Sequence, residues 1–380
     1  MFLLSLGNDK DNELKEIMEM IKRPLLVSMS ALLLLGFLFL VFQFSKAEGA
    51  DQSKTVYEKI TNGENINYLI IGDSIGRGSG ASTKQETWFR KWEQQLKNEY
   101  GVTAKRHLIV QSGATAFEGL NKLVHTEYLG PMDMTFIVFG ENDRKYMDEA
   151  QFAYFYEALI RKTKSVYPDS EIITLTESPL DNKAFSEAIA SISAHYHAKN
   201  IDLRPAFAES KLSTYELTTD LIHPNDKGYT IYADTIFQAT KDLAAANEDI
   251  ANMAIPLLEK TDIDLQQTSA YTKASHLFTN EYWSSDIPGD SIEFTYTGTF
   301  LGVKVKSNEY GGMVDVFIDG KPIRTLSTWW PLEKERHLYV TSGLENKVHH
   351  VKFVVSDRKS IYNVTNKAQV QLSAIITEKQ

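Results

Sequence analysis

The hydrophobic and polar positions divide the chain into regions with different periods. Residues 24–44 form one uncharged apolar run. Residues 66–246 alternate short apolar runs with stretches in which apolar side chains recur every three to four positions, and residues 268–380 alternate apolar and polar side chains. These patterns predict, in order, a membrane-spanning helix, an α/β domain and a domain of antiparallel strands.

The middle region predicts a parallel sheet with helices on both faces. Short apolar runs predict the strands, and helical stretches with one apolar face, such as that of Trp88, Trp92 and Leu96, separate them. The predicted strands are residues 68–71, 107–110, 134–139, 171–176 and 200–203.

The C-terminal region, residues 268–380, predicts a β-sandwich. Residues 314–318 carry valine or isoleucine at every second position before an Asp-Gly turn, and similar alternation returns further along the chain. Residues 247–267, rich in Ala, Asp, Glu and Lys, form the predicted linker between the two domains.

The apolar run at residues 24–44 predicts a signal anchor. Lys22 and Arg23 precede it, so the positive-inside rule places residues 1–23 in the cytoplasm and everything after the helix outside the membrane. Residues 45–65 are mostly polar and predict a stalk. The alternative is a signal peptide cleaved after the small-residue pattern at residues 45–47, which would yield a secreted protein.

Composition removes several classes of function. Of 380 residues, 43% are hydrophobic and 24% are charged, which is typical of globular domains and excludes disorder. The formal net charge of -10 argues against a nucleic-acid partner, which would require a basic face. The chain contains no cysteine, so thiolate catalysis, disulfides and cysteine-based zinc sites are excluded.

Small polar motifs follow the predicted strands. Gly72-Asp73-Ser74 ends the first, Gln111-Ser112-Gly113 the second and Gly140-Glu141-Asn142 the third, whereas Asp220-Leu221-Ile222-His223 precedes the last helix. Because open α/β sheets bind ligands at the carboxyl ends of their strands, we expect these motifs to meet in one site.

The residues in these motifs predict nucleophilic catalysis by Ser74. A serine hydroxyl needs an adjacent base, for which His223 is the candidate. Asp220, three residues earlier, can fix the imidazole tautomer. The backbone N–H groups of Ser74 and Gly113 and the side-chain amide of Asn142 would stabilise the oxyanion that forms on a carbonyl substrate.

Other interpretations of the first motif are weaker. Residues 72–76 also match the G-x-S-x-G elbow of α/β-hydrolases, but that fold reaches its serine after several strands and separates its acid from its histidine. Residues 76–80 superficially resemble a phosphate loop, but the Gly-Lys-Ser/Thr that grips phosphate is missing. A plain turn remains the third alternative.

Taken together, the motifs resemble those of the SGNH (GDSL) hydrolase superfamily, whose name lists a catalytic Ser, Gly, Asn and His. Here these fall on Ser74, Gly113, Asn142 and His223, and the resemblance spans residues 66–245. It implies a flavodoxin-like parallel sheet and an enzyme without metal or other cofactor. One departure is Ser112, which stands where the family often has asparagine.

The resemblance also implies a reaction, in which Ser74 accepts an acyl group, most readily acetyl, and passes it on. The C-terminal region resembles the jelly-roll accessory modules of carbohydrate-active enzymes, so we expect a polysaccharide partner. Six further side chains are candidates for substrate contact: Arg77 and Arg144 beside the site, and Trp283, Tyr310, Trp329 and Trp330 in the C-terminal domain.

The order of anchor, outward-facing catalytic domain and sandwich resembles the membrane-anchored PatB-type enzymes, which O-acetylate cell-wall polysaccharides with acetyl from a membrane-bound partner. We therefore expect an extracytoplasmic O-acetyltransferase. The alternatives are an esterase that removes acyl groups from a glycan and a non-catalytic glycan-binding surface protein. A lipid or thioester substrate is disfavoured because the predicted sandwich suggests a polymer.

Overall fold

The structure of the protein is a computed structural model that describes residues 54–276 and 281–379. The predicted cytoplasmic tail, the predicted anchor at residues 24–44 and the first part of the predicted stalk lie outside these residues. Within the described ranges, no helix is both long and apolar enough to cross a bilayer.

The α/β domain contains a parallel sheet in the strand order β2-β1-β3-β4-β5. This is the order of flavodoxin-like folds, so the predicted fold class is confirmed for this domain. Each predicted strand is present, with ends that differ by a few residues. The strands are β1 (Ile66–Gly72), β2 (Ala104–Val110), β3 (Met134–Val138), β4 (Glu171–Thr176) and β5 (Lys199–Asp202).

Helices cover both faces of this sheet because alternate residues of its central strands point to opposite sides. In β1, Leu69 and Ile71 join the core beneath one layer of helices, whereas Tyr68 and Ile70 join the core beneath the other. The helices are α1 (Val56–Thr61), α2 (Trp88–Tyr100), α3 (Ala116–His125), α4 (Glu149–Val166), α5 (Lys183–His195), α6 (Arg204–Glu209), α7 (Thr214–Leu217) and α8 (Asp226–Ala246). Side chains of α3, α4 and α5 pack on the first face, and those of α1, α2 and α8 on the second.

The second part of the predicted stalk, from residue 54 on, is folded and belongs to the α/β domain. Residues Val56–Thr61 form α1, which begins with a capping box between Thr55 and Glu58. Its side chains Val56, Tyr57 and Ile60 are fully buried in the core shared with α8. The short apolar patch in this otherwise polar segment is therefore one face of a docked helix, and the α/β domain starts earlier than predicted.

The C-terminal domain is antiparallel, as predicted, and its strands are connected by hydrogen bonds in one continuous sheet. The order is β11-β10-β12-β9-β13-β6, with β7 on β9 and β8 on β13. Buried side chains from the whole length of β9 share one core. The strands are β6 (Leu265–Thr268), β7 (Lys273–Ala274), β8 (Trp283–Ser285), β9 (Ser291–Ser307), β10 (Gly312–Ile318), β11 (Lys321–Ser327), β12 (Lys334–Lys359) and β13 (Val370–Glu378).

The segment predicted as a linker, residues 247–267, is packed against the α/β domain. Ala251 and Ile263 are buried. The guanidinium of Arg161 in α4 donates two 2.6 Å hydrogen bonds to the carboxylate of Asp262 and one of 2.7 Å to the carbonyl of Ala254. These contacts fix the path of the chain between the two domains.

Aromatic side chains join the two domains. Phe117 of α3 and Phe155 of α4 make edge-to-face contacts with Phe300 of β9 and Tyr339 of β12, at centroid distances of 5.4–6.2 Å. Such pairs each contribute about 0.5–1.5 kcal/mol beyond their burial. The C-terminal domain is thereby held beside the loops that follow β2 and β3.

Candidate active site

The motifs predicted from the sequence converge at the carboxyl edge of the parallel sheet. Ser74 follows β1, Gly113 follows β2 and Asn142 follows β3, while His223 lies just before α8. These four residues line a single cleft. The loops therefore come together in one site, as the sequence predicts.

Ser74 is placed by a turn that Asp73 organises. The Asp73 carboxylate accepts hydrogen bonds from the backbone N–H of Ile75 at 2.8 Å and of Gly76 at 3.4 Å, and the Trp88 indole N–H donates to the carbonyl of Ile75 at 3.0 Å. Ser74 is only 5% exposed. The chain thus leaves the buried strand in one fixed direction and presents Oγ to the cleft.

His223 connects Ser74 to Asp220. Its Nε2 lies 2.9 Å from Ser74 Oγ, and its Nδ1 lies 2.7 Å from Asp220 Oδ2. Because an ionised carboxylate only accepts, Nδ1 carries the proton and Nε2 is free to accept the serine hydroxyl. This arrangement matches the Ser-His-Asp geometry of serine hydrolases.

The other oxygen of Asp220 shapes its own loop. Oδ1 accepts from the backbone N–H groups of Ile222 at 3.1 Å and His223 at 2.8 Å, while Leu221 takes a positive φ of 72°. Burial opposes ionisation, but the hydrogen bonds from His223 and Ile222 outweigh it and lower the pKa of Asp220. The carboxylate therefore stays charged at neutral pH.

The glycine-rich stretch at residues 76–80 supports the histidine loop. Gly80 has φ +101°, and a Cβ there would lie 2.3 Å from the carbonyl of Pro224. The Tyr229 hydroxyl of α8 donates to the carbonyl of Ser79 at 2.6 Å. Gly80 therefore packs closely on the loop that carries His223, whereas a Cβ at Gly78 would lie 2.5 Å from the Thr87 side chain and one at Gly76 would lie 3.1 Å from Gly72.

Asn142 is anchored on Asp73. Its Nδ2 donates a 2.6 Å hydrogen bond to Asp73 Oδ2. The amide has a second N–H, which remains available for an oxyanion. Gly113 lies on the neighbouring loop with φ +74°. The three predicted oxyanion donors thus border the same cleft.

Buried carboxyls lie beneath these loops. Asp143 accepts from the backbone N–H of Ala116 at 2.8 Å and of Gly140 at 3.2 Å, which ties the loop after β3 to the start of α3. Burial, with the charge of Asp73 adding to it, raises the pKa of Asp143 to about 7. Burial also raises the pKa of Asp73, to about 6, and that of its neighbour Glu177 well above the usual range.

The predicted arginine contacts do not line the cleft. Arg144 is held by Glu141, with hydrogen bonds of 2.9 and 2.7 Å to its two carboxylate oxygens, and it faces a different hollow behind the histidine loop. Arg77 is exposed and donates to Ser112 Oγ at 3.1 Å. Glu141 thus holds the Arg144 guanidinium away from the cleft, whereas Arg77 bonds Ser112, which lines the cleft, and substrate contact by Arg77 stays a prediction.

The predicted aromatic contacts divide into two groups. Trp329 and Trp330 line the cleft opposite Ser74. Trp283 is fully buried in the core of the C-terminal domain, so its prediction as a sugar contact is wrong. Tyr310 lies outside the cleft lining and packs near the Lys367 ammonium.

The cleft itself, of ≈ 620 Å³, is built by both domains. The α/β domain supplies the serine, the histidine and the oxyanion donors. The C-terminal domain supplies an aromatic wall, in which Trp329 and Tyr362 lie 5.2 Å apart at 30° to one another. The aromatic residues of this wall are Trp329, Trp330, Tyr339 and Tyr362.

Sequence reasoning missed Glu118 of α3 and Arg336 of β12, which line the cleft and form an ion pair between the two domains. Burial opposes ionisation of Glu118, but Arg336 beside it outweighs that effect and lowers the pKa of Glu118. Neither residue belongs to a local motif, so the sequence offers no spacing signal for the pair.

Comparison with known proteins agrees with the site. Residues 70–231 match the model of the GDSL-like Lipase/Acylhydrolase family. This part of the chain is similar to that family. The chain is accordingly an enzyme of the SGNH/GDSL esterase type, and residues 277–363 of its C-terminal domain match the model described as Carbohydrate esterase 2 N-terminal.

Solved structures share the fold of this GDSL-type chain. A two-domain esterase active on acetylated mannans is 17% identical with a TM-score of 0.65, covering 86% of this chain and 94% of its own, and its complex with mannopentaose gives the same values. An acetylxylan esterase from Geobacillus stearothermophilus is 18% identical, with a TM-score of 0.40 over 46% of this chain and 94% of its own. No curated protein sequence is significantly similar to the chain.

Proposed function

We propose that this GDSL-type enzyme removes O-acetyl groups from a polysaccharide through an acetyl-Ser74 intermediate. The observation that carries the proposal is the shared cleft, in which the Ser74–His223 pair faces Trp329 and Trp330. Flat aromatic side chains bury the apolar faces of sugar rings, and the catalytic pair requires an ester carbonyl. An acetylated sugar offers an ester to the catalytic pair and a ring face to the two tryptophans.

In the proposed reaction, His223 Nε2 takes the proton from Ser74 Oγ as that oxygen attacks the acetyl carbonyl. The imidazolium is stabilised by the Asp220 carboxylate. The oxyanion receives hydrogen bonds from the backbone N–H groups of Ser74 and Gly113 and from the Asn142 amide. Collapse of the intermediate breaks the bond to the sugar oxygen, which takes the proton from His223 and leaves acetyl-Ser74.

In the second half of the reaction, His223 activates the acceptor that attacks acetyl-Ser74. Water yields acetate, and a sugar hydroxyl yields a new acetyl ester by the same steps. The His223 side chain is 26% exposed and the Asp220 side chain 53% exposed. Water therefore has access to the catalytic pair, and this access favours hydrolysis over the transfer to a glycan hydroxyl that we expected from the sequence.

The similarity to the esterase active on acetylated mannans supports a polysaccharide substrate, because that protein shares the two-domain fold over most of both chains. We propose that this chain also acts on an O-acetylated glycan. Transfer of acetyl from a membrane-bound partner remains the second candidate. Its support is the apolar run at residues 24–44, which would hold the enzyme at the outer face of a membrane.

The decisive experiment measures acetate release from acetylated mannan and acetylated xylan by the full chain. We expect release by the wild type and none above background by Ser74→Ala. Adding an unacetylated oligosaccharide distinguishes the two acceptors, since transfer would yield newly acetylated sugar at the expense of acetate. Equal, background-level release by both proteins would contradict catalysis and favour a glycan-binding surface protein.

The aromatic wall needs its own variant. Trp329→Ala should raise KM for acetylated oligosaccharide while leaving the hydrolysis of p-nitrophenyl acetate within a few-fold of wild type. Trp283→Phe, in the core of the same domain, is the matched control and should change neither. Equal losses on both substrates in Trp329→Ala would contradict a role in sugar binding.

A further inference from the structure

Arg336 of β12 reaches from the C-terminal domain to the catalytic loop after β2. Its Nη2 donates a 3.0 Å hydrogen bond to the carbonyl oxygen of Gly113. The same guanidinium donates to the Glu118 carboxylate from Nε at 3.2 Å and from Nη2 at 3.0 Å. The two side chains are 7% and 2% exposed, so the contact is shielded from water.

Trp330 also contacts Gly113 and Arg336. A Cβ at Gly113 would lie 3.2 Å from the ring of Trp330, so the indole already touches the backbone there. The Arg336 guanidinium in turn lies 4.8 Å from the centre of that ring. Gly113 is therefore enclosed by side chains of the C-terminal domain on the carbonyl side and on the Cα side.

Gly113 occupies the third position of a β-turn. The backbone N–H of Ala114 donates to the carbonyl of Gln111 at 3.0 Å, and among the residues of this turn only Gly113 has a positive φ. These features define a type II turn. Types I and II differ chiefly by rotation of the central peptide, which here joins Ser112 to Gly113 and carries the Gly113 N–H. The Gln111 side-chain amide donates to the Ser112 carbonyl of that peptide at 3.4 Å, whereas Arg336 holds the next peptide, Gly113–Ala114.

Glu118 connects this arrangement to the helix. It lies in the first turn of α3, where its backbone N–H is capped by Thr115 Oγ1 at 3.4 Å. Its carboxylate also accepts from the backbone N–H of His337 at 3.1 Å. The carboxylate therefore fixes both Arg336 and the strand that carries it.

We propose that Arg336 is a positioning residue for the oxyanion site: by holding the Gly113–Ala114 peptide, it keeps Gly113 in the place where its N–H faces the reacting carbonyl. The proposal rests on the proposed function. It makes the C-terminal domain a part of the chemical step, in addition to any role in binding sugar. Arg336 itself touches no reacting atom.

The test uses p-nitrophenyl acetate, a small ester that does not need the aromatic wall, and the full chain. Loss of an oxyanion donor typically costs about 10² to 10³ in rate, and a donor that spends part of its time displaced costs less. Arg336→Lys keeps the positive charge beside Glu118 but loses the several N–H donors of the guanidinium. For this variant we expect kcat to fall about 10- to 100-fold. KM and the pH dependence of kcat/KM should stay unchanged, because Ser74, His223 and Asp220 are untouched.

A second variant separates positioning from folding. Removing Arg336 alone would leave Glu118 as an unpaired buried carboxylate, which is strongly destabilising. The double variant Glu118→Gln with Arg336→Met removes both charges and keeps an oxygen for the His337 N–H. It should keep a near-native melting temperature and show the same loss of kcat.

Arg324→Lys is the matched control. Arg324 also crosses between the domains and donates to a backbone carbonyl, that of Tyr146 at 2.9 Å, but it does not contact Gly113. We expect its kcat to stay within two- to three-fold of wild type.

Wild-type kcat in folded Arg336 variants would overturn this proposal alone, as would a loss confined to KM, a shifted pH profile, or an equal loss in Arg324→Lys. Absence of Ser74-dependent hydrolysis in the wild type would overturn the proposed function and this proposal with it.

Discussion

Replacing Asp220 with asparagine tests the catalytic pair most informatively, because the structure predicts which imidazole tautomer would result. Asp220 Oδ1 accepts two backbone N–H groups, from Ile222 and His223. An asparagine would keep its oxygen at that position and turn its NH2 group toward His223 Nδ1. Nδ1 would then have to accept, which moves the ring proton to Nε2, where it faces Ser74.

A histidine in that tautomer cannot take the serine proton, so kcat should fall although the loop keeps its shape. In buried Ser-His-Asp sites the same change costs about 10⁴ in rate. Here the Asp220 side chain is 53% exposed, so water can compete for the amide and the wrong tautomer is less strongly imposed. We therefore expect a loss of about 10² to 10³, equivalent to ~2.7–4 kcal/mol of transition-state stabilisation.

The assay is steady-state hydrolysis of p-nitrophenyl acetate between pH 5 and pH 9, with Asp220→Ala as the comparison that also loses the loop contacts. The melting temperature of Asp220→Asn should stay close to wild type. A loss of less than about ten-fold would refute the tautomer argument and would assign Asp220 a role limited to shaping the loop.

Other expected outcomes concern the oxyanion site and stability. Asn142→Ala should lower kcat by about 10² to 10³ on any acetyl ester. The rate of Ser74→Ala gives the background above which this loss is measured. Because burial raises the pKa of Asp143 to about 7, this carboxyl binds a proton more tightly in the folded protein, and the stability it contributes at acid pH is lost as the pH rises through 7. The free energy of unfolding in urea should accordingly fall from pH 5 to pH 8, and the fall should be smaller in Asp143→Asn; an equal fall in both proteins would exclude Asp143 as the source.

The parallel sheet and the catalytic loops could be predicted from the sequence because their signals are local. Buried parallel strands appear as short apolar runs, and each ends in a turn whose residue types are dictated by backbone geometry. Ser74, Gly113, Asn142 and His223 lie within such turns. Their meeting at one edge then follows from the topology of the sheet.

The remaining features depend on contacts between distant parts of the chain. Arg336 and Glu118 are separated by 218 positions and belong to different domains, so no local pattern pairs them. Trp283 and Trp330 have the same side chain, yet one is core and the other lines the cleft. Their roles are decided by the path of the strands, which composition does not encode.

The same limitation explains the predicted stalk. Only Val56, Tyr57 and Ile60 distinguish α1 from a polar tether, and a six-residue helix has little stability of its own. The helix forms because α8 and the sheet bury its apolar face. That tertiary contribution is invisible in the local sequence.

The most direct test of the account is whether Ser74 carries the acetyl group. The full chain would be mixed with p-nitrophenyl acetate, quenched in acid within the first turnovers and analysed by mass spectrometry of its peptides. We predict an acetyl adduct on the peptide that contains Ser74 in the wild type and no adduct in Ser74→Ala. Turnover by the wild type with no adduct, together with undiminished turnover by Ser74→Ala, would contradict the account.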